Sequence, residues 1–227
     1  MTVSILASMS QALWRILESQ DIDPAPVFRD AGLDTRRWNE PYARFSDAAL
    51  DRAWIKAIEL TSNPCLGLMA GHFSNPVSLH ALGFAVLASD SLYDAMSRLV
   101  RYTDLISIGL KLQLSVAGED CRLTIDPVSL QPGALAARTD AFLSGLITVS
   151  RTMTSDDLAP KALSLRRRAP RCAAEYYALF RAPVTFAAAA DSITFERGIA
   201  EQSLPTSNRV LARQCEQIID DYLIRFS

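Results

Sequence analysis

Histidine, paired cysteine and long apolar runs are all scarce in this chain, and each scarcity excludes a class of function. The 227 residues include two histidines, His72 and His80. Their spacing suits one helix face, but the segment from Gly71 to Asn75 interrupts that helix, and a metal site would need further ligands. Both therefore read as hydrogen-bonded histidines. Cysteine occurs four times, as Cys65, Cys121, Cys172 and Cys215. No Cys-x-x-Cys is present, so neither a structural zinc site nor a redox pair is expected. Each reads as a small core residue. No apolar run is long enough to span a bilayer, and the N-terminus lacks the charged, apolar and cleavage regions of a secretory leader. A cytoplasmic protein without membrane contact is the expectation. The formal net charge of -2 argues against a nucleic-acid-binding surface over these residues, which would be basic. Gly-x-Gly-x-x-Gly, the P-loop, His-Glu-x-x-His and Gly-x-Ser-x-Gly are all missing. The adjacent acids Asp156-Asp157 and Asp220-Asp221 point to different sides of their elements and read as solvated or capping groups. No catalytic residue, metal ligand or cofactor is nominated.

What the chain does have is enough apolar material for a large core. Hydrophobic residues make up 49% and charged residues 21%, close to the averages of folded domains. The organising stretch is Asn75 to Ile106. Asn75-Pro76 supplies a cap and a first helical residue. Leu79, Leu82, Phe84, Val86 and Leu87 make the first helix apolar on more than one face, so it is expected to be buried. Gly83 in its middle implies a closely packed backbone neighbour, because glycine there costs about 1 kcal/mol relative to alanine. Ser91 with Asp94 forms a capping box for a second helix. Leu92, Ala95, Met96, Leu99, Thr103 and Ile106 share one face of it, with Arg98 and Arg101 off that stripe. The pair reads as the wall of a core, or of a pocket beside one.

Along the chain, residues 4–20 carry helical apolar spacing, Pro26 to Ala31 forms a short helix stopped at Gly32, and Ser46 or Asp47 caps a third helix. The first hundred or so residues are thus helical. The pattern changes at Lys111 to Val116 and Cys121 to Ile125, which alternate polar and apolar around a Gly118-containing hairpin. Residues 127–132 are a loop and Ala134 to Met153 a long helix. Lys161 to Arg168 is a strand and Cys172 to Phe180 an aromatic-rich helix. Val184–Phe186 and Ser192–Phe195 are expected to pair as strands. Asn208 to Phe226 is a last helix with Leu211, Cys215, Ile218, Tyr222 and Phe226 on one side. The fold class is α+β: a helical N-terminal part packed on a small, mostly antiparallel sheet with covering helices. The expected organisation is a body at 1–205, helical over 1–107 and α+β over 108–205, followed by a linker or dimerisation helix at 206–227.

Three features invite a functional reading beside a plain one. Arg166-Arg167-Arg168 with Arg171 suits an anion, or is the solvated end of a strand; the second reading is favoured. Gly67-Leu68-Met69-Ala70-Gly71 looks like a close-packing helix motif, which carries little weight outside a membrane segment. Phe84, Tyr102, Phe142 and Leu146 come from helices converging on the sheet, and they either fill a core or line a cavity.

The order of motifs resembles a family. Glu59 to Leu68 (ELTSNPCLGL) is similar to its ELTGDPxLGL segment. Leu82 to Leu92 (LGFAVLASDSL) is similar to LGYALLSSPTL. Phe180 to Phe186 (FRAPVTF), then Ile193-Thr194-Phe195 and Leu204-Pro205, are similar to FGCPVRF…LVF…LP. These segments are those of the arabinose-binding-like N-terminal effector domain of bacterial AraC/XylS-type transcription regulators, and the likeness runs from about Leu17 to Leu204.

The resemblance implies a regulatory domain that senses a small molecule and controls a C-terminal helix-turn-helix pair. This chain carries no such pair and stops where the linker helix would be, so promoter DNA would be bound only through that missing domain. The family label does not make arabinose the effector. Apolar candidates favour a hydrophobic or amphipathic molecule, such as a fatty acid or aromatic acid, entering among Phe84, Leu87, Tyr102, Phe142 and Leu146. Arg101 or Arg166 would pair with its carboxylate. Leu211, Cys215, Ile218 and Tyr222 would form the seam of a homodimer, or pack on their own domain. The alternatives are a pure assembly module with no effector, and an unrecognised enzyme.

Overall fold

A computed structural model describes residues 3–40, 42–127 and 131–226. Strand β1 (Ser4–Leu6) leads through a 3-10 turn into α1 (Gln11–Ser19) and α2 (Pro24–Ala31). Asp23 caps α2 and Gly32 ends it at φ 78°, the left-handed cap expected there. Strand β2 (Arg44–Ser46) pairs antiparallel with β1 and runs into α3 (Asp47–Thr61). The helix expected over residues 4–20 therefore begins only at Gln11. Its first residues are claimed by β2 instead, with Ile5 opposite Phe45. A 3-10 turn at Leu66–Met69 precedes α4 (Ala70–Phe73), and a second at Pro76–Leu79 precedes α5 (Ala81–Leu87). Helices α6 (Leu92–Arg101) and α7 (Thr103–Ile106) complete the N-terminal half.

The α+β class holds. After α7 come the hairpin β3 (Leu110–Ala117) and β4 (Asp120–Pro127), the long α8 (Pro132–Met153), β5 (Ala162–Leu165), α9 (Ala173–Phe180), β6 (Val184–Phe186) and β7 (Asp191–Glu196). The short α10 (Arg197–Ala200) and the last helix α11 (Arg209–Phe226) complete the chain. The strands after α7 form one five-stranded sheet in the order β3-β4-β7-β5-β6. It is antiparallel except for β5 against β6. The pairing expected between 184–186 and 192–195 is absent, because β5 sits between them and pairs with both. Of the loop expected at 127–132, residues 128–130 lie outside the described residues.

Two apolar clusters form the interior. One lies among α1, α2 and α3, with Phe28, Leu50 and Trp54 buried. The other lies between α5, α6, α8, α9 and the sheet, with Leu82, Met96, Leu123, Ile147, Phe180 and Ile193 buried. Helix α8 serves both: Ala134 and Ala137 belong to the first, and Leu143, Ile147 and Met153 to the second. Small residues let other segments press onto α8. A Cβ on Gly67 would lie 2.0 Å from the Ala137 carbonyl oxygen, and one on Gly71 would lie 2.9 Å from that of Ser144. The Gly67–Gly71 spacing thus does place two backbones in contact, in an ordinary protein interior.

The expected junction of helices at 75–106 is present with one break. Asn75 caps through Oδ1, accepting from the Val77 amide at 3.0 Å, but the turn ends at His80, whose φ is 51° and ψ -133°. Helix α5 starts afresh beyond it. A Cβ on Gly83 would fall 1.7 Å from the Pro76 carbonyl oxygen, so the close neighbour expected at Gly83 is the preceding turn. Ser91 Oγ accepts from the Asp94 amide at 3.1 Å, and Leu92, Ala95, Met96 and Leu99 are buried on α6.

Cysteine pairing departs from expectation. Cys65 and Cys172 are joined by a disulfide, with Cα atoms 6.3 Å apart across a sequence separation of 107. Cys121 and Cys215 are free and buried.

Candidate functional site

The amphipathic pattern of α6 puts its apolar stripe towards α8, and the two helices do not close completely. A cavity of about 120 Å³ lies between them, with the turn at 74–79 on a third side. Helix α6 contributes Leu92, Ala95, Met96 and Leu99, and α8 contributes Phe142, Leu146, Val149 and Met153. Met9, Val86 and Ile106 add further apolar wall. Among the described residues, polar groups enter only as Ser8, Ser74, Asn75, Ser78 and Ser150, and no charged residue lines the space. Several of these are already engaged: Ser8 Oγ donates to the Ser78 carbonyl at 2.6 Å, and Ser74 Oγ to that of Ala70 at 2.9 Å. The walls thus offer mostly apolar contact area with few polar groups.

A second space of about 110 Å³ adjoins the first. Met9, Ala12, Ser74, Ile106, Ala141 and Phe142 line both and form the partition. Beyond it lie Leu50, Trp54, Leu110, Ile125, Arg138 and Thr139. Arg138 is held at 2.5 Å by Asp47 and 2.6 Å by Asp51, all three being buried, so its charge is met inside the protein.

Of the site residues expected from sequence, Phe142 and Leu146 line the first cavity. The others lie elsewhere. Phe84 is 43% exposed, on the outer side of α5, so that helix is not buried all round. Leu87 is half-buried and Tyr102 buried, and neither is among the lining residues. Burial pushes the Tyr102 phenol up to about 12. Arg101 is solvent-facing, with its guanidinium 4.9 Å from the Tyr102 ring and 3.8 Å from the Asp220 carboxylate. Arg166 reaches outward to Asp126 at 3.0 Å. Neither arginine lines either space, so neither meets a ligand carboxylate there.

The arginine run splits by direction instead. Arg167 turns inward and donates from Nη1 to Asp140 Oδ2 and to the Tyr176 hydroxyl oxygen, each at 2.6 Å, and from Nη2 to the Pro64 carbonyl at 3.2 Å. The Tyr176 hydroxyl also donates to Asp140 Oδ2 at 2.6 Å. Burial, partly offset by Arg167, pushes the Asp140 carboxyl up to about 7. Neither the solvated-end reading nor the anion reading describes Arg167, which is a structural cation. Strand alternation gives its direction, but it does not reveal the buried acid that the side chain meets.

Sequence reasoning also missed the link from this cavity to the last helix. Arg98 stands on α6 beside the cavity-lining stripe and is not itself among the lining residues. Its Nε donates to Glu216 Oε1 of α11 at 2.9 Å, and its Nη1 donates to Ser89 Oγ at 3.0 Å and to Asp94. Tyr222 of α11 stacks on Tyr42 with ring centroids 4.1 Å apart, and Tyr42 lies 4.9 Å from the His80 ring. Within the expected dimer stripe, Cys215 is buried and Tyr222 half-buried, facing the body, whereas Leu211 and Ile218 are 40% and 52% exposed. The Phe226 side chain lies outside the described residues. The outward apolar residues of α11 are Val210, Leu211, Ile218 and Ile224.

A helical half and a mixed sheet share one long helix, with an apolar cavity at the junction. The chain belongs to the family described as the arabinose-binding domain of AraC transcription regulators, N-terminal, whose model matches residues 22–204. It is 22% identical over 211 residues to the ornithine utilization regulator of Pseudomonas aeruginosa, covering 92% of this chain and 61% of that protein. Its fold matches the crystal structure of the transcriptional regulator CdpR from Pseudomonas aeruginosa with a TM-score of 0.66 and 18% identity, over 90% of this chain and 60% of that one. The chain therefore spans about three-fifths of the length of both transcription regulators. Among the described residues, no helix is long and apolar enough to cross a membrane.

Proposed function

We propose that this domain senses an apolar or amphipathic small molecule in the α6–α8 cavity and reports it through α11 to a separate DNA-binding domain. The observation that carries the reading is the cavity wall: a large apolar surface with no charged residue. Ligand sites of this kind are mostly apolar with a few polar groups. A dry cavity of about 150 Å³ accepts a ring the size of benzene, so the first space suits a ring or a short alkyl segment. A longer chain would displace the flexible Met9 side chain and enter the second space. A free sugar would leave its hydroxyls unpaired against such a wall. Ornithine, which appears in one relative's name, is charged at both ends of its chain, so it has no apolar end to bury in the first cavity while a charged head stays at the mouth, as a fatty acid has.

The effector shifts an equilibrium only by preferring one arrangement of α6 against α8. Because α6 lines the cavity with one stripe and holds Glu216 through Arg98 beside that stripe, that arrangement is tied to α11. In this reading residues 1–205 are the sensory body and 206–227 the output helix, whose outward Val210, Leu211, Ile218 and Ile224 pair with a second copy. The assembly works in the cytoplasm, and DNA contact belongs to the partner domain.

The test is a thermal-shift series comparing decanoate, decanol and an aromatic acid with arabinose and ornithine. A melting-point rise with the apolar compounds, abolished by Ala95→Phe, supports the reading. A response confined to sugars or ornithine contradicts it.

A further inference from the structure

We propose that Cys65–Cys172 is a thiol–disulfide exchange site, opened and closed by a low-molecular-weight thiol such as glutathione, that sets how firmly residues 62–76 are held against α8. The two sulfurs differ in access: Cys65 is fully buried, whereas Cys172 is half-buried just before α9. An incoming thiolate therefore meets Cys172 first. The segment before Cys172 also brings cations to the segment before Cys65. Arg167 donates to the Pro64 carbonyl and Arg171 to the Ser62 carbonyl, so two guanidinium groups lie beside the segment that enters Cys65. Positive charge draws in an anionic thiol and favours a departing thiolate. The two remaining cysteines lack this setting. Cys121 and Cys215 are buried, and burial pushes both thiols up.

The exchange balances with two molecules of the small thiol. The first thiolate attacks Sγ of Cys172, and the bond to Cys65 breaks with its electron pair leaving on Cys65 Sγ, which takes a proton from water. The second thiolate attacks the outer sulfur of the mixed disulfide and releases the Cys172 thiolate. The protein bridge is reduced by two electrons, and two small thiols become one disulfide. Oxidised glutathione runs the sequence backwards.

Opening the bridge matters because the chain beyond Cys65 builds part of the cavity. It presses Gly67 onto the Ala137 carbonyl and Gly71 onto that of Ser144, and Ser74 meets Gly145. It then supplies Phe73, Ser74, Asn75 and Pro76 to the cavity wall. The hydrogen bonds of Arg167 and Arg171 persist in the reduced form, so the segment loosens without detaching. The oxidised form holds the wall in place and binds effector more tightly, a consequence that rests on the cavity reading above.

The experiment equilibrates the folded protein with glutathione at reduced-to-oxidised ratios from about 1 to about 1,000, then traps free thiols by alkylation for intact-mass and peptide analysis. Cys65 and Cys172 are expected to convert together and reversibly within that range. The oxidised form should melt about 5–10 °C above the reduced form. Cys172→Ser, or the reduced wild type alkylated at Cys172 if that variant fails to fold, should melt at the reduced value whatever the ratio. A bridge that stays closed at every ratio, thiols that never pair, or equal melting of the two forms would each overturn the proposal. Decanoate binding is measured on both forms in parallel. Failure of decanoate to bind either form counts against the cavity reading alone, since bridge state and melting point do not depend on it.

Discussion

Arg98 and Glu216 join the helix that walls the cavity to the helix that ends the chain, with Nε and Oε1 2.9 Å apart and both side chains largely buried. The neighbouring stripe of the same helix lines the cavity, so the ion pair links the cavity wall directly to α11.

Replacing Arg98 by Met should therefore do two things. It leaves Glu216 and Asp94 without their cation, costing about 1–3 kcal/mol in a urea titration. It should also abolish any effector-dependent change in α11 without abolishing effector binding. Fluorescence from a probe at exposed Gln217, read with and without decanoate, checks the second outcome.

Three glycines make a matched set. Gly67→Ala and Gly83→Ala place a methyl 2.0 Å from the Ala137 carbonyl and 1.7 Å from the Pro76 carbonyl. Each should destabilise by about 1–3 kcal/mol or more, because backbone must move. Gly198→Ala meets nothing within 4 Å and lies in α10. It should stabilise by about 0.4–1 kcal/mol by restricting the unfolded chain. Chemical denaturation of the three variants orders them.

Asp140 predicts a pH dependence of known sign. Burial raises its folded-state carboxyl from 3.8 to about 7, and Arg167 offsets only part of that. The folded protein then holds a proton that the unfolded chain has already lost. The contribution is fully present below 3.8 and is lost as pH rises towards about 7. Asp140→Asn should remove this falling limb from the melting-point profile, while the wild type retains it.

Much of this was legible in the sequence where the signal is local. Ser91, Asp94 and the stripe Leu92–Leu99 define α6 without outside help, and Gly32 and Gly118 mark the turns they occupy. Residues 4–6 misled because their apolar spacing continues that of α1, and only the distant Arg44–Ser46 segment makes them a strand. The disulfide was invisible because its partners are 107 residues apart with no spacing signature. Phe142 and Leu146 could be nominated from the face of α8 they occupy. Arg101 and Arg166 were nominated for their charge alone, and periodicity does not say that the groups they meet are Asp220 and Asp126 on the outside.

The triad of Arg138, Asp47 and Asp51 should be unforgiving. Arg138→Met leaves two buried carboxylates, one of which also accepts from the Gln131 amide at 2.9 Å, and should cost about 3–5 kcal/mol. Replacing all three by apolar residues of similar volume should recover much of that loss, as equilibrium unfolding would show.

The central claim is that an apolar cavity between α6 and α8 governs α11. Hydrogen exchange of the protein with and without saturating decanoate tests it most directly. Slower exchange in both 92–101 and 209–226, with the second change lost in Arg98→Met, is the predicted result. Protection confined to the cavity helices, with α11 unchanged in the wild type, would contradict the account.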